Sequence, residues 1–360
     1  GREIYFNFLY APGFWLLLSA GMTYALIGMR TISGVYHHGV LPVVAFAIGW
    51  LIAEGSSDKQ IRDGILALAA GFGTYATLNM LVNIGNNRYR LIDFWTGTYR
   101  AATGSGALNT LPIAVAPYAV KFEKRLLVKT MFLVLFFATI QYMFMLGTRT
   151  QFAILLLIVI LAALQFAYSE QGIAGVLKCI GIMAVISLIA FLLYHFNVLS
   201  IRDYILSTNL AARYERRASL ENSDSFRFQS FWIGLRELIQ YPMGGRASQI
   251  YRHNMWLDVG RVSGIIPFCL LLVYSIKNFA NVTAIWKNTK ILPSLRYLLL
   301  FLYIGAYVNC FVEPIWEGVL NFFLALCVVD GMVSAMMRRL KNDPIPEESV
   351  SDTSNLHTDL

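Results

Sequence analysis

Residues 152–167 read FAILLLIVILAALQFA, and residues 173–194 read IAGVLKCIGIMAVISLIAFLLY, with Lys178 as their one charged side chain. A helix needs about 20 mainly apolar residues to cross the hydrocarbon core of a bilayer. With their flanks, the two stretches predict consecutive membrane-spanning helices over residues 150–168 and 173–196. Such long, continuous runs favour an all-α membrane protein over a lipid-facing β-barrel, whose strands would show short alternating segments.

The composition extends this interpretation to the whole chain. Of the 360 residues, 57% are hydrophobic and 14% are charged, whereas a soluble domain has about 25% charged residues. A compact soluble domain cannot bury that much apolar surface, which excludes a soluble enzyme, a nucleic-acid-binding protein and a disordered scaffold. The four cysteines lie in apolar runs, so we interpret them as core or lipid-facing residues. The chain begins with Gly1, so we expect native residues before it; no cleavable signal peptide is evident.

The apolar runs predict about ten membrane-spanning helices. Their approximate bounds are 11–29, 40–55, 64–86, 105–120, 126–146, 150–168, 173–196, 254–276, 294–312 and 315–337. The chain therefore divides into helices one to seven within residues 1–196, a large loop at 197–252, helices eight to ten within 253–337, and a tail at 338–360. The tail contains prolines, serines and acidic residues without apolar periodicity, which predicts disorder.

The large loop carries its own helical pattern. Residues 228–239 place Phe228, Phe231, Trp232, Leu235 and Leu238 at helical spacing. The pattern stops at residues 241–245, which read YPMGG, a strong chain-breaking signal. We predict an amphipathic helix that lies at the membrane interface.

The lysines predict the topology. If both termini are cytoplasmic, every lysine falls on the cytoplasmic side, in agreement with the positive-inside rule. The nine are Lys59, Lys121, Lys124, Lys129, Lys178, Lys277, Lys287, Lys290 and Lys341. This arrangement places the large loop in the periplasm.

The arginines follow a different rule. Fourteen of the twenty fall on the outer side: Arg30, Arg88, Arg90, Arg100, Arg149, Arg202, Arg213, Arg216, Arg217, Arg227, Arg236, Arg246, Arg252 and Arg261. Orientation signals alone would distribute the two basic residues alike. Because the guanidinium group binds phosphate bidentately, we expect about half of these arginines to form structural pairs with outer acids and the others to form a site for a diphosphate.

Histidines supply the candidate bases. His37 and His38 lie in a predicted short exposed turn, and His195 has the position of a capping or packing residue. His253 follows the chain-breaking end of the loop, where it is either an ordinary helix-start histidine or a site residue held by a rigid element.

Three short motifs, in order, resemble the O-antigen ligase/polymerase family. The first is Arg149 within residues 147–153 (GTRTQFA), and the second is Arg227 before the Trp-bearing helix of the loop. The third runs from PMGG at 242–245 through YRHNMWL at 251–257 to GIIP at 264–267. The likeness covers residues 126–276, with Ala153 and Pro267 departing from the ligase pattern.

The resemblance implies a glycosyltransferase of the bacterial inner membrane that acts on undecaprenyl-diphosphate-linked oligosaccharides at the periplasmic side, inverting and metal-independent. His253 would serve as general base, and Arg149 and Arg227 would bind the diphosphate. The weaker candidates for substrate binding are Arg100, Arg213, Arg216, Arg217, Arg252 and Asn254. We expect no cofactor and no metal, since the first outer connection, residues 31–39, has no acid. The expected partners are the lipid-linked glycan, the bilayer and a chain-length regulator protein, with no nucleic acid.

Three other functions stay open. A ligase would transfer the glycan to lipid A core, whereas a polymerase would join it to another repeat unit. The imperfect ligase motifs at Ala153 and Pro267 favour the polymerase. A transporter of lipid-linked anions would also use arginines, but transporters place ionisable groups near the midplane and show repeated halves. Here the middles of the predicted spans are nearly free of charge. A non-catalytic scaffold would not explain why the lysines lie on one side of the membrane and most arginines on the other.

Overall fold

The computed structural model describes residues 6–84, 91–100, 102–218 and 223–342. This part of the chain is helical apart from one antiparallel hairpin, in which β1 (Leu91–Ile92) pairs with β2 (Tyr99–Arg100). Eight of the described helices are long and apolar enough to cross a membrane. The protein is therefore a multi-pass helical membrane protein, as the apolar runs predicted.

The helices are as follows in chain order. They are α1 (Pro12–Thr23), α2 (Ile32–Gly34), α3 (Leu41–Glu54), α4 (Asp58–Val82), α5 (Ala102–Leu108), α6 (Thr110–Lys121), α7 (Leu126–Leu146), α8 (Arg149–His195), α9 (Ile201–Ser207), α10 (Asn209–Ala218), α11 (Ser223–Gln240), α12 (Met255–Ser263), α13 (Ile265–Lys287), α14 (Pro293–Val312), α15 (Ile315–Gly318) and α16 (Leu320–Asn342).

Helix α8 consists of two consecutive spans. At 1.5 Å per residue, its 47 residues would extend for about 70 Å, more than twice the roughly 30 Å hydrocarbon thickness. Gly172, with φ 59° and ψ −143°, interrupts the helix in a conformation that side-chain-bearing residues rarely adopt. Glu170 pairs with Lys121 beside this break. After the second half, the Tyr204 hydroxyl donates to Gln141 Oε1 at 2.5 Å, so the chain has returned to the far end of α7.

The predicted bounds of spans eight and ten were wrong. The predicted span eight is two helices in the structure. The short helix α12 ends at Ser263, and the long apolar helix α13 runs from Ile265 to Lys287 rather than ending at 276. All nine residues of α12 are buried, so this helix packs inside the protein. Likewise, α15 precedes α16, which continues to Asn342 instead of ending at 337. An apolar pattern alone does not separate a helix buried by protein from one buried by lipid.

The second span begins earlier than predicted. Residues 35–40 form a π-helical segment that continues from α2 into α3, so His37 and His38 lie within a helix and not in a turn. The His38 side chain is buried. Its ring stacks on Trp316 at 5.6 Å and meets the Tyr24 ring at 5.0 Å. The expectation of an exposed pair was therefore wrong for His38.

In the described part of the large loop the chain forms three α-helices, α9 to α11. The predicted helix over 228–239 is confirmed within α11, which ends at Gln240 directly before the predicted breaker. Its buried side includes Ser230 and Leu238, whereas Phe228 and Trp232 are exposed. The helix therefore packs on the membrane domain along one side and presents aromatic rings on another.

The two ends of the bundle carry different basic residues. At one end, which we call the lysine face, Arg339 binds Asp58, Leu292 N donates to Asp58 Oδ2 at 3.0 Å, and Lys121 pairs with Glu170. The opposite end, which we call the arginine face, holds Arg149, Arg213, Arg252 and Arg261. The partition seen in the sequence is thus a partition in space.

The core contains one buried acid in the middle of a span. Asp330, in α16, is fully buried and accepts hydrogen bonds from the hydroxyls of Tyr274, at 2.6 Å, and Tyr303. The expectation of spans nearly free of charge overlooked this residue. Its two tyrosine donors join α13, α14 and α16.

Candidate active site

Arg149 is positioned by a tight turn between α7 and α8. Gly147 adopts φ 66°, and its N–H donates to Met143 O at 2.9 Å. A β-carbon at Gly147 would lie 2.7 Å from Asn209 O, so glycine is required both by the backbone angle and by the close approach. Arg149 is then the first residue of α8. A helix N-terminus carries a partial positive charge and free N–H groups, which adds to the charge of the guanidinium.

Helix α10 from the large loop packs directly on this turn. Asn209 Nδ2 donates to Met145 O at 2.6 Å, and Arg213 Nη1 donates to Gly147 O at 2.7 Å. The Tyr214 ring lies 6.0 Å from the Arg149 guanidinium carbon. Arg149 and Arg213 are therefore held at one place by the same helix.

Amide side chains fix the start of α8 against its neighbours. Gln151 Nε2 donates to Asn309 Oδ1 at 3.0 Å, and Asn309 Nδ2 donates in turn to Thr110 Oγ1. All three residues are buried. Buried polar groups that are fully hydrogen-bonded specify one arrangement of the helices around them, here α6, α8 and α14.

Glu313 is the residue on which the site converges. It follows the last residue of α14 and is 1% exposed. Thr150 Oγ1 donates to its Oε1 at 2.8 Å, and His253 Nδ1 lies 3.9 Å from its Oε2. One carboxylate therefore contacts both the first turn of α8 and the candidate base. Glu313 is one of the outer acids that were expected only to pair with arginines, although its place at the end of a span, before Pro314, was a usable signal.

His253 is held in an unusual backbone conformation. Its φ is 54°, a left-handed value that is uncommon for residues with a β-carbon. Asp258 fixes the backbone on both sides of it, because Arg252 N donates to Oδ1 at 2.6 Å and Asn254 N donates to Oδ2 at 3.3 Å. Strain of this kind persists where the surroundings impose it and is concentrated at functional sites.

Asn254 and Arg252 have structural partners. The Asn254 side chain caps α12, since it accepts from Leu257 N at 3.0 Å and donates to Phe311 O at 3.2 Å. Arg252 donates to both oxygens of Glu237, at 3.0 and 2.8 Å, and is buried. Arg252 is thus one of the structural pairs that the sequence analysis expected among the outer arginines.

Arg261 organises the loop next to the site. Its Nη1 donates to the carbonyls of Arg246, Ala247 and Gln249 at 2.7, 2.9 and 3.0 Å. Its Nη2 donates to Glu317 Oε2 at 2.8 Å, and its Nε lies 3.5 Å from Asp258 Oδ1. Nothing in the sequence distinguished Arg261 from the other outer arginines.

Burial sets the protonation of the two acids beside Arg261. It raises the pKa of Glu317 to about 7, and the positive charge of Arg261 only partly opposes this change. Burial also raises the pKa of Asp258, against the hydrogen bonds from the Arg252 and Asn254 backbones and the charge of Arg261. Both acids lie outside the long spanning helices.

A cavity of about 460 Å³ opens at His253. Its lining consists of Phe228, Phe231, Arg252, His253, Asn254, Phe311 and Val312. This volume falls within the ~300–1,000 Å³ typical of small-molecule sites. The imidazole is 28% exposed, so a ligand in the cavity can reach it.

The structure connects His253 to the Arg149-bearing end of α8 through Glu313 and Thr150. Helix α10 holds Arg149 and Arg213 near each other, but neither arginine lines the cavity at His253. Asn254 and Arg252 make supporting contacts. The side chains of Arg100, Arg216, Arg217 and Arg227 lie outside the described residues, as do Arg88 and Arg90 entirely. Within the described residues, no group of three or more His, Cys, Asp and Glu side chains converges as a metal site.

No family model matches this chain, and no curated protein matches it.

Proposed function

We propose that this protein is a polymerase-type glycosyltransferase that joins undecaprenyl-diphosphate-linked oligosaccharide units at the arginine face. In this proposal the membrane domain has ten spans, which are the eight long apolar helices with α8 counted as two and the consecutive helices α5 and α6 as the tenth. The bilayer is the bacterial inner membrane, and the arginine face with the large loop lies in the periplasm. The observation that carries the proposal is the Glu313 carboxylate, which contacts the Arg149-bearing end of α8 through Thr150 and approaches the His253 imidazole from the other side.

The arrangement supplies the two groups that an inverting transfer requires. His253 Nδ1 lies 3.9 Å from Glu313 Oε2. This distance is longer than a hydrogen bond, so the two groups interact electrostatically. A carboxylate at this distance favours a proton on Nδ1 and stabilises the imidazolium that forms when Nε2 accepts a second proton. The ring nitrogen that faces the cavity is then the general base.

The proposed reaction transfers the donor sugar from the diphosphate to the acceptor hydroxyl. The acceptor hydroxyl transfers its proton to His253 Nε2 while its oxygen forms a bond to the anomeric carbon of the donor sugar. The bond from that carbon to the diphosphate oxygen breaks, and the diphosphate keeps the electron pair. Arg149, Arg213 and the N–H groups at the start of α8 stabilise the negative charge that develops on the leaving group. The imidazolium then loses its proton to solvent.

The aromatic lining of the cavity supports the proposal that the substrate is lipid-linked. Phe228 and Phe311 are 67% and 55% exposed, and both line the cavity beside the imidazole. Their apolar surface suits the isoprenoid chain, whose burial is favourable, while the diphosphate and sugar would lie toward the basic residues.

A deletion strain complemented with the gene tests the proposal through the banding of its lipopolysaccharide. A polymerase predicts that deletion leaves core carrying a single repeat unit and removes the longer chains. Loss of every repeat unit would instead identify the ligase.

Purified protein in detergent separates transfer from transport. Detergent solution has no compartments, so a transporter shows no product there, whereas the proposed enzyme should lengthen a lipid-linked oligosaccharide and release undecaprenyl diphosphate. Absence of both products from monodisperse protein supplied with the lipid-linked substrate would contradict the proposal.

A further inference from the structure

A second cavity lies at the lysine face, on the opposite side of the protein from His253. It has a volume of about 250 Å³ and is formed by the start of α1, the end of α3, α13 and α16. Its polar lining includes Lys277, Asn281, Ser334, Arg338, Lys341 and Asn342. The proposed transferase chemistry uses none of these residues.

Of the residues that the structure describes, three cations and no acid line this cavity. Among the described residues, no carboxylate oxygen lies within 4.0 Å of the charged groups of Lys277, Arg338 or Lys341. Other basic residues of the same face are paired, as Lys121 is with Glu170 and Arg339 is with Asp58. Three clustered positive charges without counter-charges form a site for an anion.

Aromatic rings fix the direction of the central guanidinium. Arg338 lies 5.8 Å from the Tyr10 ring and 6.0 Å from the Trp50 ring, and its Nη1 donates to Asn7 O at 3.3 Å. A planar guanidinium that is held by rings loses little freedom when it binds an oxyanion, and it presents two parallel donors.

Two buried donors in the same lining have no hydrogen-bond partner in the part of the chain that the structure describes. They are Ser334 Oγ and Trp50 Nε1, in residues that are 9% and 2% exposed. A buried donor that makes no hydrogen bond lowers stability. Both residues belong to the cavity lining, so the lining holds donors that no described residue uses.

We propose that this cavity binds a phosphate ester, and that its source is the headgroup of an acidic phospholipid. Ile276 and Phe279, on either side of Lys277 in sequence, are 60% and 43% exposed, as expected where acyl chains cover α13. The volume is below the ~300–1,000 Å³ of drug-sized sites, which fits a headgroup whose acyl chains stay outside. Basic pockets between spanning helices bind such headgroups by charge and hydrogen bonding.

Native mass spectrometry of the purified full chain tests the site with three probes: phosphatidylglycerol, phosphatidylcholine and soluble glycerol 3-phosphate. We expect one molecule of phosphatidylglycerol to be retained in preference to phosphatidylcholine. The double variant Lys277→Gln/Arg338→Gln should bind it at least about tenfold more weakly, because charge-assisted hydrogen bonds are lost. The matched control Lys287→Gln/Lys290→Gln, of equal net charge and on the same face, should bind as the wild type does.

Lys277→Gln alone is a milder variant in case the double variant fails to fold, and it should weaken binding about 2- to 10-fold. Competition by glycerol 3-phosphate at equal concentration would support the phosphate site and assign it to a soluble ester. Equal retention of both lipids, or equal retention of phosphatidylglycerol by the cavity variants and the control variant, would overturn the proposal.

Discussion

The His253 backbone is shaped by its neighbours rather than by its own ring. Asp258 accepts from the N–H groups of residues 252 and 254, and Asn254 caps α12. These contacts impose the left-handed backbone while the imidazole stays partly exposed to the cavity. The conformation therefore serves to aim the ring, and asparagine, which tolerates left-handed angles, can replace histidine without adding strain.

For this reason, His253→Asn should abolish transfer while leaving the fold intact. We expect activity to fall by roughly 10²- to 10⁴-fold, the usual contribution of a general base, with an unchanged melting temperature. Product formation by the purified variant measures this. His195→Ala, an exposed histidine at the end of α8, is the control and should keep full activity. Wild-type rates in His253→Asn would remove the imidazole from the mechanism.

Arg149→Lys tests whether the first residue of α8 must present a planar fork of donors. Lysine keeps the positive charge and loses bidentate geometry, so we expect at least about a tenfold loss of activity with normal membrane insertion. Arg202→Lys, at an exposed position of α9, should be neutral. Full activity of Arg149→Lys would show that a positive charge alone suffices at this position.

At the scale of elements, the long spans could be predicted from apolar runs, because lipid demands continuous apolar length. The short buried helices α12 and α15 could not, since protein surrounds them and their residues resemble the neighbouring spans. His38, Glu313 and Asp330 were misread or overlooked for a related reason. A sequence shows the charge or polarity of a residue, whereas its burial depends on packing between distant elements, as in the stacking of His38 on Trp316.

The contact between α12 and α15 should make stability depend on pH. Glu317 has a pKa of about 7 in the folded protein, against an ordinary value of 4.5. Between these values the folded state holds a proton that the unfolded chain has lost. The contribution of Glu317 to stability is therefore greatest below pH 4.5, decreases as pH rises to about 7, and then levels off.

We therefore expect the melting temperature to fall from pH 5 to pH 8 by a few degrees more in the wild type than in Glu317→Gln, measured on purified protein in detergent. Glu215→Gln, on the exposed side of α10, should retain the wild-type dependence. Identical changes in all three proteins would contradict a buried carboxyl with a raised pKa.

At the scale of the whole molecule, the candidate active site and the lysine-face cavity lie at opposite ends of the bundle. The sequence predicted this polarity through the separation of lysine from arginine, and it predicted His253 and Arg149 within one site. It could not predict that Glu313 connects them, because Glu313 lies 163 residues after its partner Thr150 in the chain.

The two-ended arrangement makes a prediction about topology that is independent of the chemistry. Single cysteines at Ser223, in the loop helix α11, and at Thr289, between α13 and α14, should lie on opposite sides of the membrane. In intact spheroplasts an impermeant maleimide should label Ser223→Cys at once and Thr289→Cys only after permeabilisation, since the positive-inside rule places the lysine face in the cytoplasm. Cys179 and Cys269, which are not buried, should first be replaced by alanine. Labelling in the reverse order would move His253 and Arg149 to the cytoplasmic side, where a periplasmic polymerase cannot have its site.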